Sequence, residues 1–396
     1  MATYLRPGVY VEEVGVRNRA SYGHPLRDLD RSEPTAPRRI AEHGVAAFVG
    51  LASDGPAHVV TMIRGWTEFE QRFGGVVDGA YLGHAVHGFF TNGGRECHVV
   101  RVNDGRFDQV TVEDLVGSAE ERTGIASLEA VEDVSVIAAP DVMALRAQLG
   151  EEGVKAAQLA LVYNSELMGD RIALIDCPPD LSPHEVRDWR TDVAGYDSKF
   201  AVLYYPWLKV SDHWQGTTVV PPSGHLAGVH ARTDLHRHAA NDPVRGAFGV
   251  ERDLLLQEQE LLHPLSVNAL VRAPGGPVVW GARTLSSDPK WRYLRSRRLM
   301  NFLVRNIRAG VAWVVFGQAH DREVWRRVRR ELEEFLSMVW RSGALFGDDP
   351  DEAFYVKCDQ ETNPSESVDA NLVVADCGVA GHDGVELNFR VVCYLG

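Results

Sequence analysis

From Val45 to Tyr205 the chain alternates short apolar runs with longer segments in which apolar positions recur at helical spacing. The runs at 45–51, 98–102, 135–138, 171–175 and 200–205 predict strands, and the amphipathic stretches at 68–73, 80–91, 144–164 and 183–194 predict helices. Strands alternating with helices in this way predict a parallel or mixed sheet covered by helices.

Beyond residue 205 the pattern predicts helices over 253–270 and 290–309 and a strand over 311–316. A helix follows from Asp321 to about Arg341, stopped near Gly343 and Gly347, and two strands close the chain. The last of these, Val385-Glu-Leu-Asn-Phe-Arg-Val-Val-Cys-Tyr-Leu395, is apolar at every odd position, which predicts a long strand with one buried face. At the other terminus, Val9-Tyr-Val-Glu-Glu-Val14 alternates behind a Pro7-Gly8 turn and predicts a short strand. Residues 17–44 are charged, contain three prolines and lack an apolar period, so they read as a linker or loop. A short strand set apart in this way can add to its own sheet or to that of another copy, because main-chain ladder bonds serve both equally.

Composition narrows the class. The 396 residues, 45% apolar and 24% charged, are ordinary globular material for two or three domains. The N-terminus has no apolar run behind a basic start, and the longest apolar runs are too short to cross a bilayer, so a soluble protein without a signal peptide is expected. Cys97, Cys177, Cys358, Cys377 and Cys393 are odd in number and widely spaced, which predicts reduced core thiols rather than a disulfide framework.

Signatures of common chemistry are missing: the sequence holds no GxxxxGK[ST], GxGxxG after a strand, HExxH or GxSxG. His225 with His230, and His236 with His238, fit no metal-ligand spacing, and no cofactor is expected. Asp180 follows an apolar strand, where catalytic acids of α/β domains sit, but the favoured reading is that Pro178 and Pro179 stop the strand and Asp180 or Ser182 caps the next helix. Ser223 beside His225 is the one tempting nucleophile and base, in a segment that reads as a turn.

Charge is sharply segregated. The net charge is −14, yet residues 290–330 hold twelve Lys or Arg against two acids, while 331–396 hold three against fourteen. Such a block predicts an acidic partner and leaves a nucleic-acid-binding reading open. In the helix from Asp321, a plausible N-cap, residues Val324, Trp325, Val328, Leu332, Phe335, Leu336 and Val339 share one side. Arg322, Arg326, Arg329 and Arg330 gather opposite, where like charges four residues apart each cost ~0.2–0.5 kcal/mol in an isolated helix. Either this is a partner surface, or it is a solvated face compensated by Glu323 with Arg327 and Arg329 with Glu333. On the preceding helix, Arg297 and Arg298 are expected to pair with the acids of 331–396.

Several motifs in order carry a resemblance. They are Tyr4-Leu-Arg-Pro-Gly-Val-Tyr-Val-Glu-Glu13, Tyr204-Tyr-Pro-Trp-Leu-Lys-Val210, Val220-Pro-Pro-Ser-Gly-His-Leu-Ala-Gly-Val-His-Ala-Arg-Thr-Asp234, Val279-Trp-Gly-Ala-Arg-Thr-Leu285, Trp291-Arg-Tyr293, Arg297-Arg-Leu299, Gly343-Ala-Leu345 and Glu352-Ala-Phe-Tyr-Val-Lys-Cys-Asp359. Together they resemble the contractile tail sheath proteins of phages and related injection particles. The chain departs from that family's usual wording at Phe316-Gly-Gln-Ala-His320, in the loop 236–248 and at Gly384-Val-Glu-Leu387.

The resemblance implies an N-terminal arm (1–16), a linker (17–44), a non-catalytic subtilisin-like α/β domain (45–285), an α+β domain (286–384) and a C-terminal arm (385–396). It implies that the arms exchange strands between subunits through Val9, Tyr10, Val11, Glu12, Val385, Leu387, Phe389 and Val391, and that Arg322, Arg326, Arg329 and Arg330 face an inner tube. The implied role is a structural one, without enzymatic activity. Subunits assemble in the bacterial cytoplasm as stacked rings or a helix around a tube protein, then contract to drive that tube through an envelope. The implied partners are further copies, the tube, a baseplate, terminator or cap proteins, sheath paralogues and an AAA-type ATPase, without nucleic acid or membrane insertion.

Overall fold

The elements of the first half run β1 (Gly8–Glu13), β2 (Ala46–Gly50), β3 (Thr61–Ile63), α1 (Trp66–Phe73), α2 (Leu82–Thr91), β4 (Cys97–Arg101), α3 (Val112–Val116), β5 (Val136–Ala138), α4 (Asp141–Ala144), α5 (Arg146–Met168), β6 (Ile172–Asp176), α6 (Pro183–Asp188) and β7 (Ala201–Tyr205). Those of the second half are β8 (Leu208–Asp212), β9 (Gly216–Val220), α7 (Ser223–Arg232), β10 (Ala247–Val250), α8 (Leu256–Leu262), β11 (Val267–Ala273), β12 (Gly276–Val279), α9 (Leu294–Gly310), α10 (Arg322–Arg341), α11 (Pro350–Ala353), β13 (Phe354–Lys357), α12 (Ser365–Asp369), β14 (Leu372–Ala380) and β15 (Glu386–Tyr394). This computed structural model describes residues 6–15, 44–102, 106–212, 216–235, 237, 239–317 and 320–396. The expected linker up to residue 43, and the His236 and His238 pair, lie outside them. The chain divides into a larger unit, Glu42–Arg298, and a terminal unit of Met1–Ala41 with Leu299–Gly396.

The larger unit is built on an eight-stranded sheet ordered β12-β11-β7-β6-β5-β2-β4-β3. Neighbours from β11 to β4 are parallel, while β12 and β3 are antiparallel edges, so the sheet is mixed as expected. Its central strands are buried throughout and read as continuous apolar runs because helices cover both faces. Val154, Ala157 and Leu161 of α5 join the core on one face; Val86 and Phe89 of α2 with Leu226 and Val229 of α7 join that on the other. Helices α2 and α7 meet closely because Gly224 and Gly228 carry no side chain: a Cβ on Gly224 would lie 2.2 Å from Ala85 Cα, and one on Gly228 2.4 Å from Phe89 O. Between β6 and α6 the capping account of the sequence holds, since Ser182 Oγ accepts from Glu185 N in a capping box.

The expected helix over 253–270 is a correction. Only Leu256–Leu262 is α-helical; Pro264 follows in a short 3-10 turn, Ser266 takes a left-handed φ of 60°, and β11 begins at Val267.

In the terminal unit a four-stranded antiparallel sheet is ordered β1-β15-β14-β13. Three strands therefore close the chain where the pattern predicted two. Strand β15 is central, and Asn388 and Val392, at polar-face positions of the alternation, are each 1% exposed, so both of its faces are covered rather than one. The predicted strand at 311–316 is a 3-10 helix, Ala312–Phe316, held by Val314 N donating to Val311 O and Gly317 N to Val314 O. A short apolar run does not by itself distinguish strand from helix.

Candidate functional site

Two features of the terminal unit gather the residues expected to act. The first is the edge of its sheet. Strand β1 lies antiparallel on β15 with Val9 opposite Cys393, Tyr10 opposite Val392, Val11 opposite Val391, Glu12 opposite Arg390 and Glu13 opposite Phe389. The ladder continues one residue further as Val14 N donates to Asn388 O at 3.0 Å. Phe389 and Val391 thus face the N-terminal strand. Leu387 is instead opposite Val379 of β14, and Val385 precedes β15, its carbonyl accepting from Gly381 N in the turn.

Arg390 organises this region electrostatically. Its Nε donates to Asp376 Oδ1 at 2.7 Å and its Nη2 to Asp376 Oδ2 at 3.1 Å, a two-pronged pair of the strong kind. The row Glu12, Arg390, Asp376 then crosses three strands with alternating sign. Sequence reading missed the pair because the two residues, fourteen apart in the chain, become neighbours only once the β14–β15 register is known.

Helix α10 is the second feature. Asp321 caps it, its Oδ1 accepting from Glu323 N and Val324 N, each at 2.9 Å. Trp325, Val328, Leu332, Phe335, Leu336 and Val339 are buried, which is the apolar side expected. Arg322, Arg326 and Arg330 are exposed. Arg322 Nη2 donates to Gln360 Oε1 at 3.2 Å, and Arg330 reaches Glu334 only at 4.0 Å. Arg329 is half-buried and held by Glu333 at 2.7 Å. Glu333 itself is buried, and that burial raises its pKa against the lowering effect of Arg329. The other expected compensation takes a different partner: Arg327 pairs with Glu331 at 3.2 Å, stacks on the Trp313 ring at 3.8 Å, and Trp313 Nε1 donates to Glu331 Oε2 at 2.8 Å.

The basic residues of α9 are engaged differently from expectation. Arg298 is buried, its Nη2 donating to His230 O at 2.6 Å and Thr233 O at 2.8 Å, and burial pushes its pKa down to about 10. The guanidinium of Arg297 lies 4.4 Å from the ring centroids of both Phe200 and Trp291. For Arg298 the expected pairing with the acids of 331–396 is therefore replaced by carbonyl contacts inside the larger unit.

The nucleophile and base weighed for a hydrolase are not assembled. Ser223 begins α7 rather than lying in a turn, and its Oγ donates to Asp176 Oδ2 at 2.6 Å while its amide donates to Oδ1 at 3.2 Å. The buried carboxyl of Asp176 is pushed up to about 7 by desolvation, against the lowering effect of those bonds. The ring of His225 packs on α2 where a Cβ on Gly88 would lie 2.4 Å from its Nδ1, and burial pushes its pKa down to about 3. His230 Nε2 lies 3.0 Å from Tyr204 Oη inside the core. Asp141, unremarked in the sequence, is a second buried acid: it accepts from the amides of Leu51, Tyr81 and Leu82, and desolvation pushes it up to about 6.

Two family models match this chain, the phage tail sheath protein central domain over residues 109–285 and the phage tail sheath C-terminal domain over residues 286–389. The chain belongs to the phage tail sheath family. It is 25% identical over 241 residues to a protein described as a prophage major tail sheath protein of Pseudomonas aeruginosa (strain UCBPP-PA14), a match spanning 57% of this chain and 58% of that protein. Its fold is similar to a chain in the helical sheath of the anti-feeding prophage in its contracted state, with a TM-score of 0.70, 23% identity and coverage of 91% of this chain and 96% of that one. A chain of the contracted sheath complex of the PVC extracellular contractile injection system gives 0.66, 21%, 90% and 95% for the same quantities. The sheath tail protein of Desulfitobacterium hafniense gives 0.63, 11%, 92% and 99%. A mixed α/β sheath fold is common to them.

Proposed function

We propose that this tail sheath family member is a structural subunit of a contractile phage-tail-like or injection particle, with no catalytic role. It polymerises around an inner tube in an extended, metastable state and contracts to drive that tube through a target envelope. Its α/β domain carries a subtilisin-like topology, and Ser223 and His225 form no triad among the described residues.

The observation that carries this reading, beside family membership, is the seating of the N-terminal strand on the C-terminal one at a sheet edge. Thirty-two residues separate Glu13 from Ala46, enough to reach up to ~100 Å when extended. The main-chain bonds that β1 makes to its own β15 are the same bonds it makes to that of a neighbour, so exchange costs little and links subunits into a mesh. During contraction the subunits rotate as nearly rigid bodies while these strands stay paired.

The exposed Arg322, Arg326 and Arg330, with the half-buried Arg329 held beside them by Glu333, then supply the grip on an acidic tube surface. Exposed ion pairs are worth only ~0–1 kcal/mol each, which suits contacts that must be released.

Negative-stain electron microscopy tests the reading. Full-length protein is expected to form tubes or stacked rings, and a variant lacking residues 1–14 is expected to stay folded and dispersed. Dispersed full-length protein overturns the whole reading, and normal tubes from the truncated variant overturn strand exchange alone.

A further inference from the structure

We propose that neighbouring copies of this chain dock head to tail by inserting Phe316 of one copy into a groove of the next, an inference that rests on the reading as a polymerising sheath subunit. Both partners lie in the terminal unit. Phe316 is 86% exposed at the end of its 3-10 helix, while Val314 and Val315 before it are buried. The turn closed by Gly317 N on Val314 O leaves the phenyl ring projecting into solvent.

The groove holds about 550 Å³ and is lined by Trp340, Arg341, Leu345, Phe346, Gly347 and His382. Its aromatic wall is Phe346, 60% exposed, with the His382 ring edge-on at 5.9 Å and 79°. This wall is anchored rather than loose: Phe346 N donates to Ala380 O at 2.9 Å, His382 Nε2 to Gly343 O at 2.9 Å and Trp340 Nε1 to Gly347 O at 2.9 Å. The loop reaches this shape through Gly343 at φ 80° and Gly347 at φ 134°, conformations that side-chain-bearing residues disfavour.

Knob and groove sit at opposite ends of the same sheet. Gly396 N donates to Val315 O, which puts Phe316 beside the end where Tyr394 faces Leu372 and Gly8. The groove adjoins the other end, where Glu386 faces Ala380. Eight residue steps along β15 separate these ends, roughly 26 Å at the usual strand rise.

Single exposed apolar residues are ordinary on a protein surface. A convex aromatic at one end of a rigid unit and a concave aromatic site at the other form a heterologous pair. Such a pair repeats from copy to copy and generates closed rings or open helices rather than two-fold dimers. The groove falls in the size range of sites that take small ligands, roughly 300–1,000 Å³, which admits a phenyl ring with its flanking turn. Edge-to-face packing of Phe316 on Phe346 or Trp340 then supplies the attraction, so the occupant that fits is a second copy of this chain.

Copies carrying Phe316→Cys and copies carrying Phe346→Cys, mixed and co-assembled with excess unsubstituted protein, test this with a short bismaleimide cross-linker. The five natural cysteines are all buried, so the new thiols are the ones that react. A cross-linked dimer is expected from the mixture and from neither variant with unsubstituted protein alone. In parallel, Phe316→Ser is expected to keep the melting temperature of the unassembled subunit and to lose most of the sedimenting polymer. Tubes that form without the cross-linked dimer, or normal polymer from Phe316→Ser, overturn the docking while leaving the sheath reading intact. Unsubstituted protein that never polymerises overturns both.

Discussion

Arg390 holds Asp376 with both branches of its guanidinium and stands directly across from Glu12 on the N-terminal strand. Asp376 is 3% exposed, so removing the arginine strands a buried carboxylate. Breaking a fully buried pair costs roughly 3–5 kcal/mol; with Arg390 partly exposed, about 2–4 kcal/mol is expected for Arg390→Leu. Denaturant unfolding of the dispersed subunit measures it. The additional substitution Asp376→Leu is expected to restore part of the loss.

Arg322 lies in the first turn of α10, where the helix dipole disfavours a cation, and Arg322 with Arg326 and Arg326 with Arg330 are like charges four residues apart, while Glu323 in the first turn and Arg341 in the last suit the dipole. Reversing charge at Arg322 and Arg326 is therefore expected to leave subunit stability unchanged within ~0.5 kcal/mol or to raise it slightly. The same double substitution to Glu is expected to weaken association with an acidic tube protein, with a shallower salt dependence. Thermal melts and co-sedimentation at two salt concentrations separate the effects.

Asp176 and Asp141 are pushed up to about 7 and about 6 from an ordinary 3.8, so between pH 4 and 7 the folded state binds more protons than the unfolded. Their contribution to stability is full below pH 4 and falls as pH rises through that window. His225, pushed down to about 3 from 6.5, acts oppositely: there the unfolded state binds more protons, and stability rises between pH 3 and 6.5. Asp176→Asn is expected to remove one falling component. Melting temperature measured from pH 4.5 to 7.5 then rises more steeply, or falls less, in the variant than in the unsubstituted protein.

Burial pushes the thiols of Cys358 and Cys393 up to about 12, and Cys97, Cys177 and Cys377 are buried as well. A thiol-reactive chromophore is expected to label none of the five in the native protein at pH 8 within minutes and all five in denaturant. Rapid native labelling would show that the cores around them open.

Much was legible in the chain. The alternation of apolar runs and amphipathic stretches before Tyr205 reports a local period, and a helix-covered mixed sheet follows from it. Asp321 as a cap and the apolar face from Val324 to Val339 were legible for the same reason, since a cap and a helical stripe involve residues within a few turns of one another. The strand character of 9–14 and 385–395 was evident too.

What periodicity reports is which positions are covered, not what covers them. That β1 lies on β15 with Glu12 opposite Arg390, that Asn388 and Val392 are buried on the second face, and that Ser223 meets Asp176 rather than His225 all depend on residues far apart in the chain. The run 311–316 shows the limit most directly: its valines suit a strand, and the bonds it makes to its own turn, with Trp313 held by Glu331, settle it as a 3-10 helix. Local spacing determined the elements and their buried sides; long-range register and packing decided their partners, because those contacts join residues that no local pattern relates.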